Sequence, residues 1–310
     1  MRQSGAWITA AAAFAILGGV GLLGVGIAHG HNRDASAQDD TATNTQVQVL
    51  TASPTPTTTA PGPEENAAQK HAAAVKSLTT ALTKYAAGTP AFSVAVLDKK
   101  TGALYAFRGT QRYETASVVK VQVLACLLLH AQDAGGRKLN STESALAKRM
   151  IQASDNNATT SLFVRLGKAP AIGKCNKRLG LTHTTVNQSW GLTKTTVTDQ
   201  VKLLSQLVST SGPLTRYSRD LAEDLMSTVE ADQDWGVPAV ATEDEETTVK
   251  NGWLPRSTEH NRWIINTVGR VTGDDTNVSI AVLSHGNASM PGGIALVEKV
   301  AKMTRQYLKY

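Results

Sequence analysis

Apolar and polar positions divide this chain into blocks of changing period. An apolar stretch from Ala6 to Ala28 stands behind the charged Arg2. From Glu64 to about Ala87, Ala, Val and Leu recur at helical spacing, and Gly88-Thr89-Pro90 ends the pattern. Ala91 to Leu97 alternates with period two, Lys99 to Gly102 carries turn residues, and Ala103 to Phe107 returns, which predicts a hairpin. Val118 to about Gln132 is apolar on all sides and predicts a helix buried nearly all round. Residues 141 to about 230 hold further helical stretches, broken at Gly135-Gly136, Asn156-Asn157, Gly167, Gly180 and Gly212-Pro213. Three strands follow, Thr247 to Leu254, Trp263 to Val271 and Asn277 to Ser284, and Gly292 to Leu308 closes the chain as a helix.

Strands near both ends with helices between them predict an α+β fold. One antiparallel sheet is built from the two chain ends and flanked by helices, beside an all-helical lobe. The expected limits are 65–117 and 245–310 for the α/β lobe and 118–244 for the helical lobe. A site in such an architecture lies between the lobes.

The N-terminal run is long enough to span a bilayer and has a charged n-region, so 1–37 has two readings. It is an uncleaved signal anchor, or a signal peptide removed after Ala35-Ser36-Ala37. No cysteine follows the run, so a lipid-modified cysteine anchor is not expected. Residues 38–64 are rich in Thr, Pro, Ala and Gln and predict an extended spacer without a core. Either reading exports the folded part, 65–310, to the extracellular space or to the outer face of the cytoplasmic membrane. The membrane is then met only through the N-terminal segment.

Composition narrows the function classes. The 310 residues suffice for a sizeable core, and the net charge of +6 is spread without a basic, aromatic-interleaved stripe, so a nucleic-acid partner is not expected. The two cysteines, Cys126 and Cys175, form no Cys-x-x-Cys pair, so neither is expected to hold a metal; a disulfide and a buried thiol both remain open. There is no Gly-x-Ser-x-Gly or His-Glu-x-x-His pattern, and no Gly-x-Gly-x-x-Gly that follows a strand. No cofactor is expected, and the chain is expected to act as a monomer.

Three short patterns carry candidate chemistry. Ser117-Val-Val-Lys120 opens the buried helix, and residues three apart on a helix share a face. A lysine in apolar surroundings has a lowered pKa and can take the hydroxyl proton, while the free N–H groups of the helix start can hold an oxyanion. The plain alternative is a cap followed by a surface lysine. Ser154-Asp155-Asn156 ends a helical stretch and reads equally as a turn. Lys250-Asn251-Gly252 lies in a strand, where glycine marks a bulge or the close approach of another group.

Ser-x-x-Lys, Ser-Asp-Asn and Lys-x-Gly in this order resemble the signature set of the class A β-lactamases and penicillin-binding proteins. The resemblance covers about 65 to 310 and implies the β-lactamase/transpeptidase-like version of the fold. It implies that Ser117 is the nucleophile, Lys120 its activating partner and Ser154 a relay of protons to the leaving group. Asn156 would hold the substrate amide or its own lobe, and Lys250 would supply positive charge. The N–H groups of Ser117 and of Trp253, just past Gly252, would form the oxyanion hole. Arg262 stands where many class A enzymes keep an arginine for the substrate carboxylate, and reads otherwise as a strand-end cation.

The chain also departs from the family pattern. Asn251 replaces the usual Thr or Ser and changes that substrate contact. The interval from Ser117 to Ser154 is short, which implies a more open cleft. Class A enzymes activate the deacylating water with a glutamate in a loop after Ser-Asp-Asn, yet no Asp or Glu occurs between Asn156 and Thr198. Asn187 and Gln188 could position a water there, and His183 is the titratable candidate. The expected protein is an exported serine acyl hydrolase that acylates Ser117 on a β-lactam or related amide or ester. The alternatives are a D-Ala-D-Ala peptidase of the penicillin-binding-protein type, acting on a peptidoglycan-like substrate, and a non-catalytic envelope protein.

Overall fold

The computed structural model describes residues 63–310. The expected leader or anchor over 1–37 and nearly all of the expected spacer lie outside the described residues. The elements run in chain order as α1 (Pro63–Ala86), β1 (Ala91–Asp98), β2 (Leu104–Phe107), β3 (Tyr113–Glu114), α2 (Val119–Asp133), α3 (Ser141–Gln152), α4 (Asn156–Arg165) and α5 (Lys168–Leu179). Then come β4 (Lys194–Thr195), α6 (Val197–Gln206), α7 (Arg216–Ser227), β5 (Glu246–Arg256), β6 (Arg262–Thr272), β7 (Asn277–Asn287) and α8 (Met290–Leu308). Among the described residues no helix is long and apolar enough to cross a membrane.

The sheet has the order β2-β1-β7-β6-β5, and each named pairing is antiparallel. It is built from the two ends of the folded part, as expected. β1, from the N-terminal end, inserts against β7 and leaves β5 as an edge strand. An edge strand presents backbone groups that no neighbouring strand takes.

Each face of the sheet has its own core. Leu78 and Leu82 of α1 and Leu296, Val297 and Val300 of α8 pack with Phe92, Val94, Ile265 and Ile280. On the opposite face Ala95, Val268, Ala281 and Leu283 join the cluster formed by α2 to α7. Trp235, Val237 and Val240 belong to the α1/α8 side, so part of the stretch assigned to the helical lobe packs with the sheet's other face. The segment 231–240 thus crosses from one layer to the other before β5.

α2 runs through the helical lobe, and twelve of its fifteen residues are buried. Burying each of its Val and Leu side chains favours the fold by about 1.5–3 kcal/mol, and this helix carries Lys120. A disulfide joins Cys126 of α2 to Cys175 of α5, which settles the alternative left open above. One helical turn earlier Gln122 Nε2 donates to Asn176 Oδ1, so the two helices meet through a covalent and a polar contact.

Candidate active site

The site is built on the step between β3 and α2. The 3₁₀ turn Ala116–Val118 leads into α2, and Ala116 adopts φ 46°. A left-handed backbone at a residue with a Cβ persists only where its surroundings fix it. Here the fixing contacts are explicit. Thr115 N–H donates to Thr193 O at 2.8 Å, and Val118 N–H donates to Thr115 O at 3.2 Å. Asn266 Nδ2 donates to Glu114 O at 2.9 Å and to Thr115 O at 3.0 Å, while its Oδ1 accepts from Ser284 N–H at 3.0 Å. Arg256 Nε lies 2.9 Å from Glu114 Oε2.

Glycine lets the sheet edge close on this turn. Gly252 is the cross-strand partner of Asn266. A Cβ at Gly252 would stand 2.7 Å from Ser117 N, 2.8 Å from Val118 N and 2.9 Å from Thr115 O. Those are backbone atoms, so a side chain cannot be accommodated by rotating a neighbour.

Lys120 is fully buried, and its Nζ is the hub of the site. It lies 2.9 Å from Ser117 Oγ, 3.0 Å from Ser154 Oγ, 2.6 Å from Ser154 O and 2.9 Å from Asn156 Oδ1. Burial pushes the Lys120 ammonium down to about 7, with Asp155 pulling the other way. Lys250 Nζ donates to Ser154 Oγ at 3.0 Å and to Asn251 O at 3.0 Å. Burial, and after it the positive charge of Lys120, hold Lys250 well below the usual lysine range, opposed by Asp232.

Ser154 reaches both lysines from a second left-handed residue, with φ 54°. Asp155 caps α4 by accepting from Ala158 N–H at 2.7 Å and is held by Arg149 Nη2 at 2.6 Å. The turn and the functional arrangement therefore coexist: the cap fixes Asp155, which leaves Ser154 and Asn156 on either side to face Lys120.

The structure thus brings Ser117, Lys120, Ser154, Asn156 and Lys250 together. Two expected substrate contacts are not there. Asn251 alternates to the far side of β5, where its buried Nδ2 donates to Gln233 O at 2.7 Å and to Trp235 O at 2.9 Å. Arg262 is exposed and pairs with Arg256, four residues past Gly252 along β5. That separation is about 13 Å of strand. Trp253 sends its ring toward Trp235, with centroids 6.1 Å apart, and only its backbone remains available to the site.

The loop after α5 holds residues that sequence reasoning did not single out. Trp190 opens the 3₁₀ turn Trp190–Leu192. Lys120 Nζ stands 5.2 Å from its ring centroid, and its Nε1–H donates to Thr160 Oγ1 at 3.2 Å. A Cβ at Gly191 would lie 3.9 Å from Ala116 Cα, and Thr115 Oγ1 donates to Gly191 O at 3.4 Å. Asn187 and Gln188 are exposed, and Asn187 Oδ1 accepts locally from Ser189 N–H. His183 is also exposed, with Nδ1 3.8 Å from Asp199 Oδ1.

The model of the β-lactamase enzyme family matches residues 135–308, more than half of the chain. The chain belongs to that family. The matched stretch contains Ser154, Asn156 and Lys250 and begins after Ser117 and Lys120, whose membership of the site rests on the distances above. Among curated relatives, "Putative lipoprotein LppW" of Mycobacterium tuberculosis and its counterpart in Mycobacterium bovis are each 31% identical over 170 residues. The match covers 52% of this chain and 54% of theirs, so the chain spans about half the length of the curated relatives it matches. Solved structures show the family's fold. An ancestral class A β-lactamase aligns with a TM-score of 0.64 at 19% identity, over 74% of this chain and 99% of that one. A β-lactamase from Xanthomonas campestris gives 0.65 at 17% over 76% and 98%, and PBP-A gives 0.65 at 20% over 75% and 96%.

Proposed function

We propose that this member of the β-lactamase family is a serine acyl hydrolase of the cell envelope that forms an acyl-enzyme on Ser117. The observation that carries this reading is the 2.9 Å approach of Lys120 Nζ, lowered to about 7, to Ser117 Oγ. A lysine of that pKa has a free amine at neutral pH and can take the hydroxyl proton as the oxygen attacks an acyl carbon. The bond from that carbon to the leaving nitrogen or oxygen then breaks. The proton passes from Lys120 through the Ser154 hydroxyl to the leaving group, and Lys250 holds Ser154 in place. The N–H groups of Ser117 and Trp253 stabilise the oxyanion. Asn156 fixes Lys120 and presents its amide toward the cleft.

Substrate contact at a free carboxylate is reduced to Lys250 and Ser154, because Asn251 and Arg262 are directed elsewhere. That favours an amide or ester recognised around its acyl group over a peptide recognised by its C-terminus. No carboxylate occurs in the chain between Asn156 and Thr198, so the acyl-enzyme lacks a dedicated base for hydrolysis and turns over slowly. The lipoprotein name of the mycobacterial relatives supports an envelope location. Both cysteines of this chain are in the disulfide, so its attachment would rest on the apolar N-terminal run.

The test is covalent labelling of the full chain with a fluorescent penicillin and, in parallel, with a fluorophosphonate. One adduct per chain is expected by intact mass, absent in Ser117→Ala. A wild-type chain that stays unlabelled by both reagents, beside a control enzyme that reacts, refutes the acyl-enzyme.

A further inference from the structure

We propose that Trp190 is the wall that keeps water from the acylated Ser117 and thereby sets the lifetime of the acyl-enzyme. This rests on the acyl-enzyme reading above and adds what decides its fate.

The indole is held on three sides. Its face meets Lys120 Nζ at 5.2 Å from the ring centroid. Its Nε1–H is tied to Thr160 of α4 at 3.2 Å. Its base packs on the apolar cluster of the helical lobe. The ring therefore bridges α4 and the Ser117–Lys120 turn, beside the atoms that any deacylating nucleophile must reach.

The support of the ring is equally fixed. The strand pair β3 and β4 sets Tyr113 against Thr195 and Glu114 against Lys194. Thr115 adds hydrogen bonds to Thr193 O and Gly191 O. These contacts tie the 190–195 segment to the leg of the nucleophile turn. Its neighbours in the loop are engaged elsewhere: Asn187 Oδ1 accepts from Ser189 N–H, and the exposed His183 has its Nδ1 beside Thr182 Oγ1 and Asp199.

The chemistry needs this approach. In hydrolysis a water oxygen bonds to the acyl carbon, the carbon–Oγ bond breaks, one water proton is removed and one proton returns to Oγ. Lys120 is the nearest base, and its Nζ already faces four oxygens. Removing the indole opens a path for water to that amine and to the acyl carbon. An apolar wall at this point excludes the water that would otherwise be activated.

The experiment is a pulse of the full-length chain with fluorescent penicillin, followed by removal of free reagent. The adduct is then tracked by in-gel fluorescence and intact mass. Trp190→Ala is expected to shorten the adduct half-life threefold or more. A merely structural role would lower the amount of adduct formed without speeding its release. Trp190→Gln, which retains more side-chain volume, is held to the same criterion and carries the test if Trp190→Ala does not fold. A change of less than threefold, or a lengthened half-life, overturns the wall. A wild-type chain that takes no label overturns the acyl-enzyme itself, which is a separate result.

Discussion

Lys120 and Lys250 donate to the same oxygen, the Ser154 hydroxyl, each at 3.0 Å. A hydroxyl oxygen has two lone pairs and can accept from both amines. Two buried ammonium groups converging on one atom repel, and Lys120 contributes to the lowering of Lys250. The arrangement therefore favours loss of a proton from the pair, and burial of both amines acts in the same direction, bringing Lys120 to about 7 and Lys250 well below the usual lysine range.

The first prediction concerns pH. Below about 7 Lys120 is an ammonium with no lone pair for the Ser117 proton, and above it the amine is free. The rate of adduct formation should rise about tenfold per pH unit on the acid side and level off above neutrality. Stopped labelling reactions between pH 5 and 9 measure it. A profile that is flat across this range would exclude Lys120 as the base.

Gly252→Ala should misplace the nucleophile turn. The new Cβ meets the backbone at Ser117, Val118 and Thr115 at 2.7–2.9 Å, so β5 or the turn must shift. Overpacking of this kind costs about 1–3 kcal/mol. Because the shift falls on Ser117, labelling should fall by about 100-fold or more, as for a displaced reactive group. Labelling rate and chemical denaturation of the variant give both numbers.

Asn266→Ala should separate stability from chemistry less cleanly. The buried amide serves two carbonyls and one N–H, all inside the fold. Leaving such groups unpaired costs about 1–3 kcal/mol for each group that finds no water. The melting temperature and the labelling rate should fall together, since the same bonds hold Glu114 and Thr115 at the entry to the site. Labelling at the wild-type rate would show that Asn266 serves stability alone.

The legible part of this site was the part with its own chemistry and spacing. Ser117 and Lys120 lie three apart on one helix, and the apolar residues after them announce a buried base. Asn251 departs from the expected substrate contact, and strand alternation contains the reason: if Lys250 and Gly252 face the turn, the residue between them faces away. Arg262 follows from the hairpin, whose strands run on to Arg256 and Arg262 before the chain turns. Asn266 left a signal, an amide inside an apolar strand, but its partners at Glu114 and Thr115 are some 150 positions away in sequence. Trp190 carries no such signal of its own: the resemblance places its loop near the site, and only tertiary packing sets its ring against Lys120. The cysteine pairing was open for the same reason, since Cys126 and Cys175 are 49 residues apart.

The disulfide offers a further test. Closing a loop of 49 residues is worth about 4 kcal/mol in the chain-entropy model, with measured effects of about 2–4 kcal/mol common. Reduction, or the double variant Cys126→Ala and Cys175→Ala, should lower stability by about that amount in denaturant titrations. Helix α2 carries both the bridge and Lys120, so labelling should weaken in the reduced chain. Equal denaturation midpoints for oxidised and reduced protein would mean that packing alone joins α2 to α5.

Gly191 is a position from which a carboxylate can be tested as a base for deacylation. A Cβ there would point at Ala116 Cα across 3.9 Å, an ordinary contact next to Ser117. Gly191→Glu would bring a carboxylate to the loop that otherwise has none between Asn156 and Thr198. It should act as a base for water and shorten the life of the penicillin adduct by about 10-fold or more. A carboxylate near Lys120 also favours the ammonium, so the midpoint of the acylation profile should move above about 7. Gly191→Gln has nearly the same size and no basic oxygen, and should leave both quantities close to wild type. Pulse labelling and the pH profile of the two variants decide the matter. Equal adduct lifetimes in the Glu and Gln variants would show that position 191 does not face the acyl group.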